Sequence, residues 1–233
     1  MTPRRLFIFV EGSDDQRFFS RVIVPLLEGD YSSVEIITYA CMKSVKVCRF
    51  VRSITAMDHD FILCGDIDQE RNVKAKKAVL KSRFCILSND RIVVIIQEIE
   101  SWYLAGLDDR SQRRLSLRSY RSTNHITKEL FNRMIPRSYT SRIAFMADVL
   151  DLFSFEVALE TNRSFRYFST RFLAPSAPRS VTSRAEPGSP DRAGESQGKS
   201  LVEGEGDRPG EPGPDEASGN LYPGVKGHQG EEP

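Results

Sequence analysis

Four short apolar runs, separated by stretches long enough to form helices, dominate the first hundred residues. Runs that are apolar at nearly every position are typical of strands buried on both faces of a parallel sheet. The stretches between them have the length and amphipathic character of connecting helices. The pattern therefore predicts an α/β fold with an open, mainly parallel four-stranded sheet and flanking helices. The predicted strands are 6–10, 34–39, 61–64 and 92–96, and the predicted helices are about 14–28, 44–57 and 70–83.

Strand signals end near residue 101, and the segments that follow carry helical periodicity. We predict an α/β domain at 4–106 and a helical extension at 107–173 that packs on it. Phe165 and Phe168, three residues apart, are expected to anchor the last helix. The predicted helices are 127–134, 139–152 and 164–172, with an apolar stripe of Met134, Ile143, Met146, Val149, Leu150 and Phe153.

The composition of the chain changes abruptly after Leu173. Residues 174–233 contain eleven of the 15 glycines, nine of the 12 prolines and one aromatic residue, Tyr222. Such a segment cannot bury enough apolar surface to offset the entropy lost on ordering. The glycines follow no three-residue period, which excludes a collagen-like structure. We therefore predict a disordered, acidic, Gly- and Pro-rich tail at 174–233.

The near-neutral charge of the whole chain hides an asymmetry between its two parts. Residues 174–233 contain six Lys or Arg and eleven Asp or Glu, which leaves 27 basic and 21 acidic residues in 1–173. The part that we expect to fold is therefore basic. A moderately basic body favours a polyanionic partner such as nucleic acid.

The cysteines and the N-terminal segment give no sign of secretion. The four cysteines form no CxxC pair and have no histidine at zinc spacing, so we expect buried free thiols in a reducing compartment. The first apolar run is five residues long, too short for a signal peptide or a membrane helix. We expect a soluble cytoplasmic protein without a membrane partner. The cysteines are Cys41, Cys48, Cys64 and Cys85.

Three of the four predicted strands end in carboxylates. Glu11 follows the first strand, Asp66 and Asp68 follow the third, and Glu98 and Glu100 follow the fourth. Ligands bind beyond the carboxyl ends of the strands in an open parallel sheet, so these side chains should converge at one edge. Crowded carboxylates repel one another and need protons, cations or distance. Oxygen ligands without His or Cys favour Mg²⁺ or Mn²⁺ over zinc.

The acids near the first strand also have an ordinary structural interpretation. Ser13 and Gln16 have the spacing of a helix capping box, and Asp14 and Asp15 would complement the dipole in the first turn. Capping does not explain Glu11, which precedes the cap. In the metal-site interpretation, Gly12 is the residue that lets the backbone turn from strand to helix beside a phosphate or metal.

The other acids have ordinary interpretations too. The segment 65–68, of sequence GDID, has the composition of a solvated turn. Glu98 or Glu100 could cap a helix that begins near Ser101. The occurrence of acids at three strand ends weakens these separate explanations when they are taken together.

The segment 10–15, of sequence VEGSDD, followed by Asp66-Ile67-Asp68 after an apolar strand, resembles the TOPRIM domain. That domain is shared by topoisomerases, bacterial primases, recombination mediators, the ribonuclease that matures 5S rRNA and the OLD nucleases. The segments 98–104 (EIESWYL) and 162–168 (NRSFRYF) are similar to a group of small prokaryotic TOPRIM-like proteins of unassigned function. Some members of that group look associated with phage defence or mobile elements. The resemblance covers about residues 5–172.

The resemblance implies cleavage or transfer of phosphodiester bonds with a divalent metal. It makes Glu11, Asp66 and Asp68 catalytic and metal-site residues. It also adds Asp15, which lies one helical turn after Glu11 and resembles the second acid of OLD-type members. Glu98 or Glu100 would complete the metal shell. If Glu11 does not ligate the metal, it would act as the general base.

The sequence departs from several members of the TOPRIM family. It has no topoisomerase tyrosine in a recognisable context and no primase zinc module. It also lacks a Gly-rich phosphate loop with Lys-Ser or Lys-Thr, so any ATPase would have to be a separate partner chain.

Two basic groups are candidates for holding a nucleic-acid backbone, since such phosphate contacts bind without reading sequence. A solvated helix face is the alternative for both groups. Trp102 and Tyr103 are expected in the core, with stacking on a base as the alternative. The first group is Arg71, Lys74, Lys76, Lys77, Lys81 and Arg83, and the second is Arg110, Arg113, Arg114, Arg118 and Arg121, with Lys74, Lys77, Arg110, Arg113 and Arg114 as the leading candidates.

Three functions are compatible with these features. The first is a metal-dependent nuclease acting on DNA or RNA. The second is a non-catalytic nucleic-acid-binding TOPRIM module, and the third is an effector subunit controlled by a separate ATPase. The full set of acids favours catalysis over binding alone.

Overall fold

The sheet consists of four parallel strands in the order β2-β1-β3-β4 in the computed structural model, which describes residues 4–173. The predicted α/β fold with a parallel sheet and flanking helices is confirmed. Each predicted strand matches an observed one to within two residues at either end. The strands are β1 (Arg5–Val10), β2 (Ser33–Thr38), β3 (Asp60–Asp66) and β4 (Ile92–Ile95).

Alternate side chains of the strands enter two separate cores, which explains why the runs are apolar at nearly every position. Ile8 and Cys64 belong to the core on one face of the sheet. Phe9 and Leu63, their neighbours along the strands, belong to the core on the other face. Both faces are therefore covered, as the sequence pattern of a parallel sheet requires.

The three connections between the strands cover both faces of the sheet. The first begins with α1 (Ser13–Phe18), continues through a π-helical turn (Phe19–Ile23) and ends with α2 (Val24–Leu27), on one face. The other connections, α3 (Ser44–Ala56) and α4 (Val73–Phe84), lie on the opposite face. Together these elements match the three predicted helices.

In the described part of the chain, six helices follow β4. Three of them match the predicted segments, whereas α5, α6 and α9, of six or seven residues each, were not predicted. Ile143 is 58% exposed, so its assignment to the apolar stripe was wrong. The helices are α5 (Glu100–Ala105), α6 (Asp109–Arg114), α7 (Lys128–Met134), α8 (Arg142–Asp151), α9 (Phe155–Thr161) and α10 (Arg163–Phe172).

Trp102 of α5 lies in an aromatic cluster that joins α5 to α10 and to the connection after β1. Its side chain is fully buried, and its ring centroid lies 5.2 Å from that of Phe165 and 5.4 Å from that of Phe168. The indole nitrogen donates a hydrogen bond to Ser164 Oγ over 2.8 Å. The predicted core positions of Trp102 and Tyr103 and the anchoring role of the two phenylalanines are confirmed, and Trp102 is inaccessible to a nucleic-acid base.

The expectation of four buried free cysteines was wrong. Cys48 on α3 and Cys85 at the end of α4 form a disulfide with Cα atoms 5.4 Å apart, and Cys41 is exposed. Cys64 is the one buried free thiol among the described residues. The two helices lie side by side on one face of the sheet, a tertiary contact that the 37-residue spacing of the two cysteines does not reveal.

The remaining sequence predictions concern the tail and the membrane. The tail predicted at 174–233 lies outside the described residues. No helix among residues 4–173 is long and apolar enough to cross a membrane. The predicted helical extension shares one hydrophobic core with the sheet and α1.

Candidate functional site

The strand order has a switch point between β1 and β3, where the direction in which strands are added across the sheet reverses. The connection from β1 leads to one side of the sheet, and the chain then returns to add β3 and β4 on the other side. Ligands bind at such a switch point in open α/β sheets. Glu11 follows β1 and Asp66 ends β3, so both acids lie at this point.

A cavity of about 300 Å³ opens at this edge of the sheet, and we call it the acidic pocket. All six acids that the sequence predicted as metal-site residues line it, together with Asp14 and Lys128. The structure therefore brings together carboxylates from three strand ends that are up to 89 residues apart in sequence. Their roles as ligands or catalytic groups stay predictions. The six are Glu11, Asp15, Asp66, Asp68, Glu98 and Glu100.

Glu11 is held in place by the neighbouring strands. Its Oε1 accepts a hydrogen bond from the backbone N–H of Asp66 over 3.2 Å. The Tyr39 hydroxyl, at the end of β2, lies 3.1 Å from the same oxygen and 2.8 Å from the Cys64 carbonyl. Burial, together with the Glu11 charge, raises the pKa of Tyr39, so the phenol remains a neutral hydrogen-bond donor.

Gly65 makes the close approach of Glu11 and Tyr39 possible. A Cβ atom at this position would lie 3.0 Å from the Tyr39 hydroxyl and 3.2 Å from Glu11 Oε1. The Leu80 side chain would also lie 3.2 Å away. Any larger residue at position 65 would therefore push the Glu11 carboxylate or the phenol from its position.

Asp66 and Asp15 each contribute a buried oxygen to the acidic pocket. Asp15 Oδ1 and Asp66 Oδ1 have no hydrogen-bond partner among the described residues. Burial, followed by the charges of Asp15 and Glu11, raises the pKa of Asp66 to about 10. Burial also raises the pKa of Asp15 to about 7, with Glu11 adding to the shift. Both carboxyls therefore hold protons far more tightly than exposed ones, because burial and the neighbouring acids disfavour their charged forms.

The N-terminus of α1 differs from the predicted capping box. The cap is Gly12 rather than Ser13, and Asp15 rather than Gln16 reaches back to it, with Oδ2 accepting from the Gly12 N–H over 3.2 Å. Gly12 has an extended backbone that any residue can adopt, and a Cβ there would lie 3.8 Å from Asp15 Oδ2. The expectation that a glycine is needed for the turn at position 12 was therefore wrong.

Asp68 lies at the rim of the acidic pocket, with a side chain that is 60% exposed. Its backbone is left-handed (φ 48°), a conformation that Asp tolerates better than most residues. Its carboxylate forms an ion pair with Lys76 of α4, whose side chain is buried. Lys76 was grouped with the candidate phosphate-binding residues, but this ion pair occupies it instead.

Glu98 and Glu100 are held by the helical extension. Glu98 Oε2 accepts a hydrogen bond from the backbone N–H of Lys128, the first residue of α7. Glu100 is the first residue of α5 and only 3% exposed, and it forms an ion pair with Arg142. Burial raises the pKa of Glu100, and the Arg142 charge partly opposes this shift.

Arg142 contacts two acids of the acidic pocket, and the sequence analysis did not predict this role. The first residue of α8, it forms ion pairs with both Asp14 and Glu100. Its guanidinium also lies 5.4 Å from the centre of the Phe131 ring. Arg142 is 128 residues from Asp14 and 42 from Glu100 in sequence, so no local pattern could have indicated these contacts.

The leading basic candidates lie outside the acidic pocket. Lys74 is exposed on α4, and Lys77 donates hydrogen bonds to the Asn89 carbonyl (3.1 Å) and the Tyr167 hydroxyl (3.4 Å). The three arginines of this set are exposed on α6. None of the five forms a salt bridge with another residue in the range 4–173, and apart from Lys77, whose ammonium is hydrogen-bonded, they are exposed and able to meet an anion. The three arginines are Arg110, Arg113 and Arg114.

The carboxylates are not arranged as a finished metal centre. Among residues 4–173, no group of three or more His, Cys, Asp or Glu side chains is positioned to hold a metal ion. Lys76 and Arg142 neutralise two of the acids. The donor set nevertheless fits a hard cation, because it consists of oxygens and two of these are buried without a partner. Asp15 and Asp66 supply these two oxygens, and the Glu11 carboxylate lies beside Asp66.

Comparison with models of protein families, with curated proteins and with solved structures finds no match to this chain.

Proposed function

We propose that this chain is a TOPRIM-type nuclease that hydrolyses phosphodiester bonds of DNA or RNA with Mg²⁺ or Mn²⁺. The observation that carries the proposal is the acidic pocket, in which carboxylates from three strand ends meet at the switch point of a parallel sheet. The buried, unpartnered oxygens of Asp15 and Asp66 support a cation at this position. The resemblance to TOPRIM motifs supports the choice of reaction.

Glu11, Asp15 and Asp66 would hold the cation, with Asp68, Glu98 and Glu100 around them. A bound divalent metal supplies a nucleophile by lowering the pKa of water and stabilises charge on the scissile phosphate. Asp15 and Asp66 must give up protons before they bind a cation, because their pKa values are raised to about 7 and about 10. Metal affinity should therefore increase with pH.

The other groups of the acidic pocket orient these acids and meet the substrate. Tyr39 and the Asp66 N–H fix one oxygen of Glu11, which leaves its second oxygen free to ligate or to accept a proton from water. Lys128 lines the acidic pocket and would contact the substrate phosphate. The exposed basic residues on α4 and α6 would bind the flanking backbone. A role in phage defence or mobile-element biology rests on the resemblance alone.

A non-catalytic nucleic-acid-binding module is the second candidate function. The ion pairs that Lys76 and Arg142 form with Asp68 and Glu100 favour it, because they satisfy two acids without a metal. In that case the acidic pocket would have no catalytic role, and the basic surfaces would bind the nucleic acid. Only an activity measurement separates the two candidates.

The decisive test is cleavage of labelled single- and double-stranded DNA and RNA by the purified chain with Mg²⁺, Mn²⁺ or EDTA. Asp66→Asn replaces one carboxyl group of the acidic pocket by an amide of nearly the same shape. Asp30→Asn is the matched control, because Asp30 is exposed in the turn before β2, at the opposite edge of the sheet. We expect cleavage with metal, loss in EDTA and in Asp66→Asn, and no change in Asp30→Asn. Cleavage that survives EDTA and Asp66→Asn would contradict the proposal, and binding without cleavage of any substrate would support the second candidate.

A further inference from the structure

A second cavity, of about 560 Å³, lies between α4, the end of β4 and the start of α10, and we call it the base pocket. Its volume falls within the range of small-molecule sites, which is about 300–1,000 Å³. Val94 and Ile96 supply apolar surface, and Tyr167 supplies an aromatic ring. Lys74, Lys77 and Arg163 surround this surface with positive charge. An apolar and aromatic surface within a basic rim matches a ligand that combines a planar ring with phosphate.

Tyr167 is presented to the base pocket by a rigid element. Its side chain is 46% exposed, although its neighbours Phe165 and Phe168 on α10 are fully buried. The Lys77 ammonium lies 3.4 Å from its hydroxyl and 5.3 Å from its ring centre, which fixes the ring against α4. Asn162 caps α10 by accepting a hydrogen bond from the Phe165 N–H over 3.0 Å. An exposed aromatic ring held this firmly is suited to stacking on a flat partner.

Two cations beside the ring are free to meet an anion. Lys74 is exposed at the start of α4, and Arg163 is exposed at the start of α10. Neither side chain forms a salt bridge with any residue in the described part of the chain. Such cations bind phosphate without first giving up another ion pair.

The base pocket and the acidic pocket share two structural elements. Ile96 lines the base pocket, and Glu98, two residues later, lines the acidic pocket, so their Cα atoms are within about 7 Å. On α4, Lys74 and Lys77 line the base pocket, whereas Lys76 between them binds Asp68 of the acidic pocket. A ligand longer than one nucleotide could therefore reach both cavities.

We propose that the base pocket binds one nucleotide of a single-stranded nucleic acid, with the base stacked on Tyr167 and the flanking phosphates on Lys74 and Arg163. An unpaired base is required because both faces of a base inside a duplex are covered by its neighbours. The substrate class, a single strand, extends the proposed nuclease function and rests on it, whereas the binding itself needs no metal.

The test is fluorescence anisotropy of a labelled oligothymidylate in EDTA, where cleavage is prevented. We expect Tyr167→Leu to weaken binding about tenfold and Tyr167→Phe, which keeps the ring, to change it less than about twofold. Arg163→Gln should weaken binding. It should also make the dependence of the logarithm of the binding constant on the logarithm of the salt concentration less steep, by about 0.7. Arg52→Gln is the matched control, because Arg52 lines a different cavity, together with Arg4 and His59. Melting curves of each variant verify that it is folded.

Three ligands test the stacking and the strand preference. We expect a duplex of equal length, an abasic backbone and free thymidine monophosphate all to bind more weakly than the oligothymidylate. The proposal is overturned if the duplex binds equally well, if Tyr167→Leu weakens the abasic backbone as much as the oligothymidylate, or if the mononucleotide binds as tightly as the strand.

Failure of the base pocket and failure of the nuclease give different results. Asp66→Asn should abolish cleavage but leave anisotropy in EDTA unchanged. Ring-dependent binding without any cleavage would support the base pocket and contradict the nuclease. Metal-dependent cleavage with wild-type binding by Tyr167→Leu would support the nuclease and overturn the base pocket.

Discussion

The backbone N–H of Asp66 donates a hydrogen bond to Glu11 Oε1 over 3.2 Å, which joins the ends of the two central strands. This contact links residues 55 positions apart at the switch point of the strand order. Asp66 Oδ1 is buried beside it without a partner in the described part of the chain. The proposed metal chemistry depends on this arrangement, in which the Glu11 carboxylate is held at a strand end beside the buried, unpartnered oxygen of Asp66.

Without metal, the protein should lose stability as the pH rises from about 5 to about 8. Burial and neighbouring acids raise the pKa of Asp66 to about 10 and that of Asp15 to about 7, against 3.8 for an exposed Asp. The folded state therefore keeps protons that the unfolded chain releases, so stability falls with pH by up to about 1.4 kcal/mol per pH unit for each retained proton. Urea unfolding in EDTA measures this slope. Asp66→Asn should make it shallower, and an unchanged slope would contradict the assignment.

Gly65→Ala should damage the acidic pocket, whereas Gly12→Ala should be tolerated. The new methyl group at position 65 would meet the Tyr39 hydroxyl and Glu11 Oε1 at 3.0 and 3.2 Å, whereas at position 12 its nearest neighbour is 3.8 Å away. We expect Gly65→Ala to lower the free energy of unfolding by about 1–3 kcal/mol and to reduce cleavage. Chemical denaturation and the cleavage assay measure both effects. Equal behaviour of the two variants would show that the close approach is unimportant.

The fold and the acidic pocket could be predicted from the sequence to different degrees. The strands and the meeting of Glu11 with Asp66 followed from apolar runs that end in acids, because parallel topology fixes where strand ends lie. The contacts of Arg142 and the disulfide of Cys48 depend on how helices pack, which no local spacing encodes. Gly65 was noted only as part of a turn, since its importance comes from Tyr39, a residue at the end of another strand.

Arg142→Met should destabilise the protein in a pH-dependent way. The substitution keeps the apolar length of the side chain but leaves Glu100, which is 3% exposed, without its cation. We expect a loss of about 3 kcal/mol near pH 8 and a smaller loss at lower pH, because burial raises the pKa of Glu100 and a protonated carboxyl does not need the cation. Arg21→Met is the control, because its ion pair with Asp151 is exposed and should contribute less than about 1 kcal/mol. A double variant with Glu100→Gln should recover part of the loss, and no recovery would contradict the pairing.

The disulfide between Cys48 and Cys85 predicts a count of reactive thiols. Alkylation of the unfolded, unreduced protein should modify two cysteines, Cys41 and Cys64, and alkylation after reduction should modify all four. Mass spectrometry gives the count. Because the bond closes a loop of 37 residues, its reduction should lower the free energy of unfolding by about 3–4 kcal/mol. Four reactive thiols before reduction would show that the bond does not form.

Calorimetric titration with Mn²⁺ tests the central claim, a cation site built from Glu11, Asp15 and Asp66, most directly. Measured near pH 7.5 in two buffers of different ionisation enthalpy, it gives both the affinity and the number of protons released. We predict saturable binding with release of at least about one proton, from the carboxyls of Asp66 and Asp15. Asp66→Asn should bind at least about tenfold more weakly, and Asp30→Asn should bind like the wild type. No binding at millimolar Mn²⁺, or equal binding by Asp66→Asn, would contradict the claim.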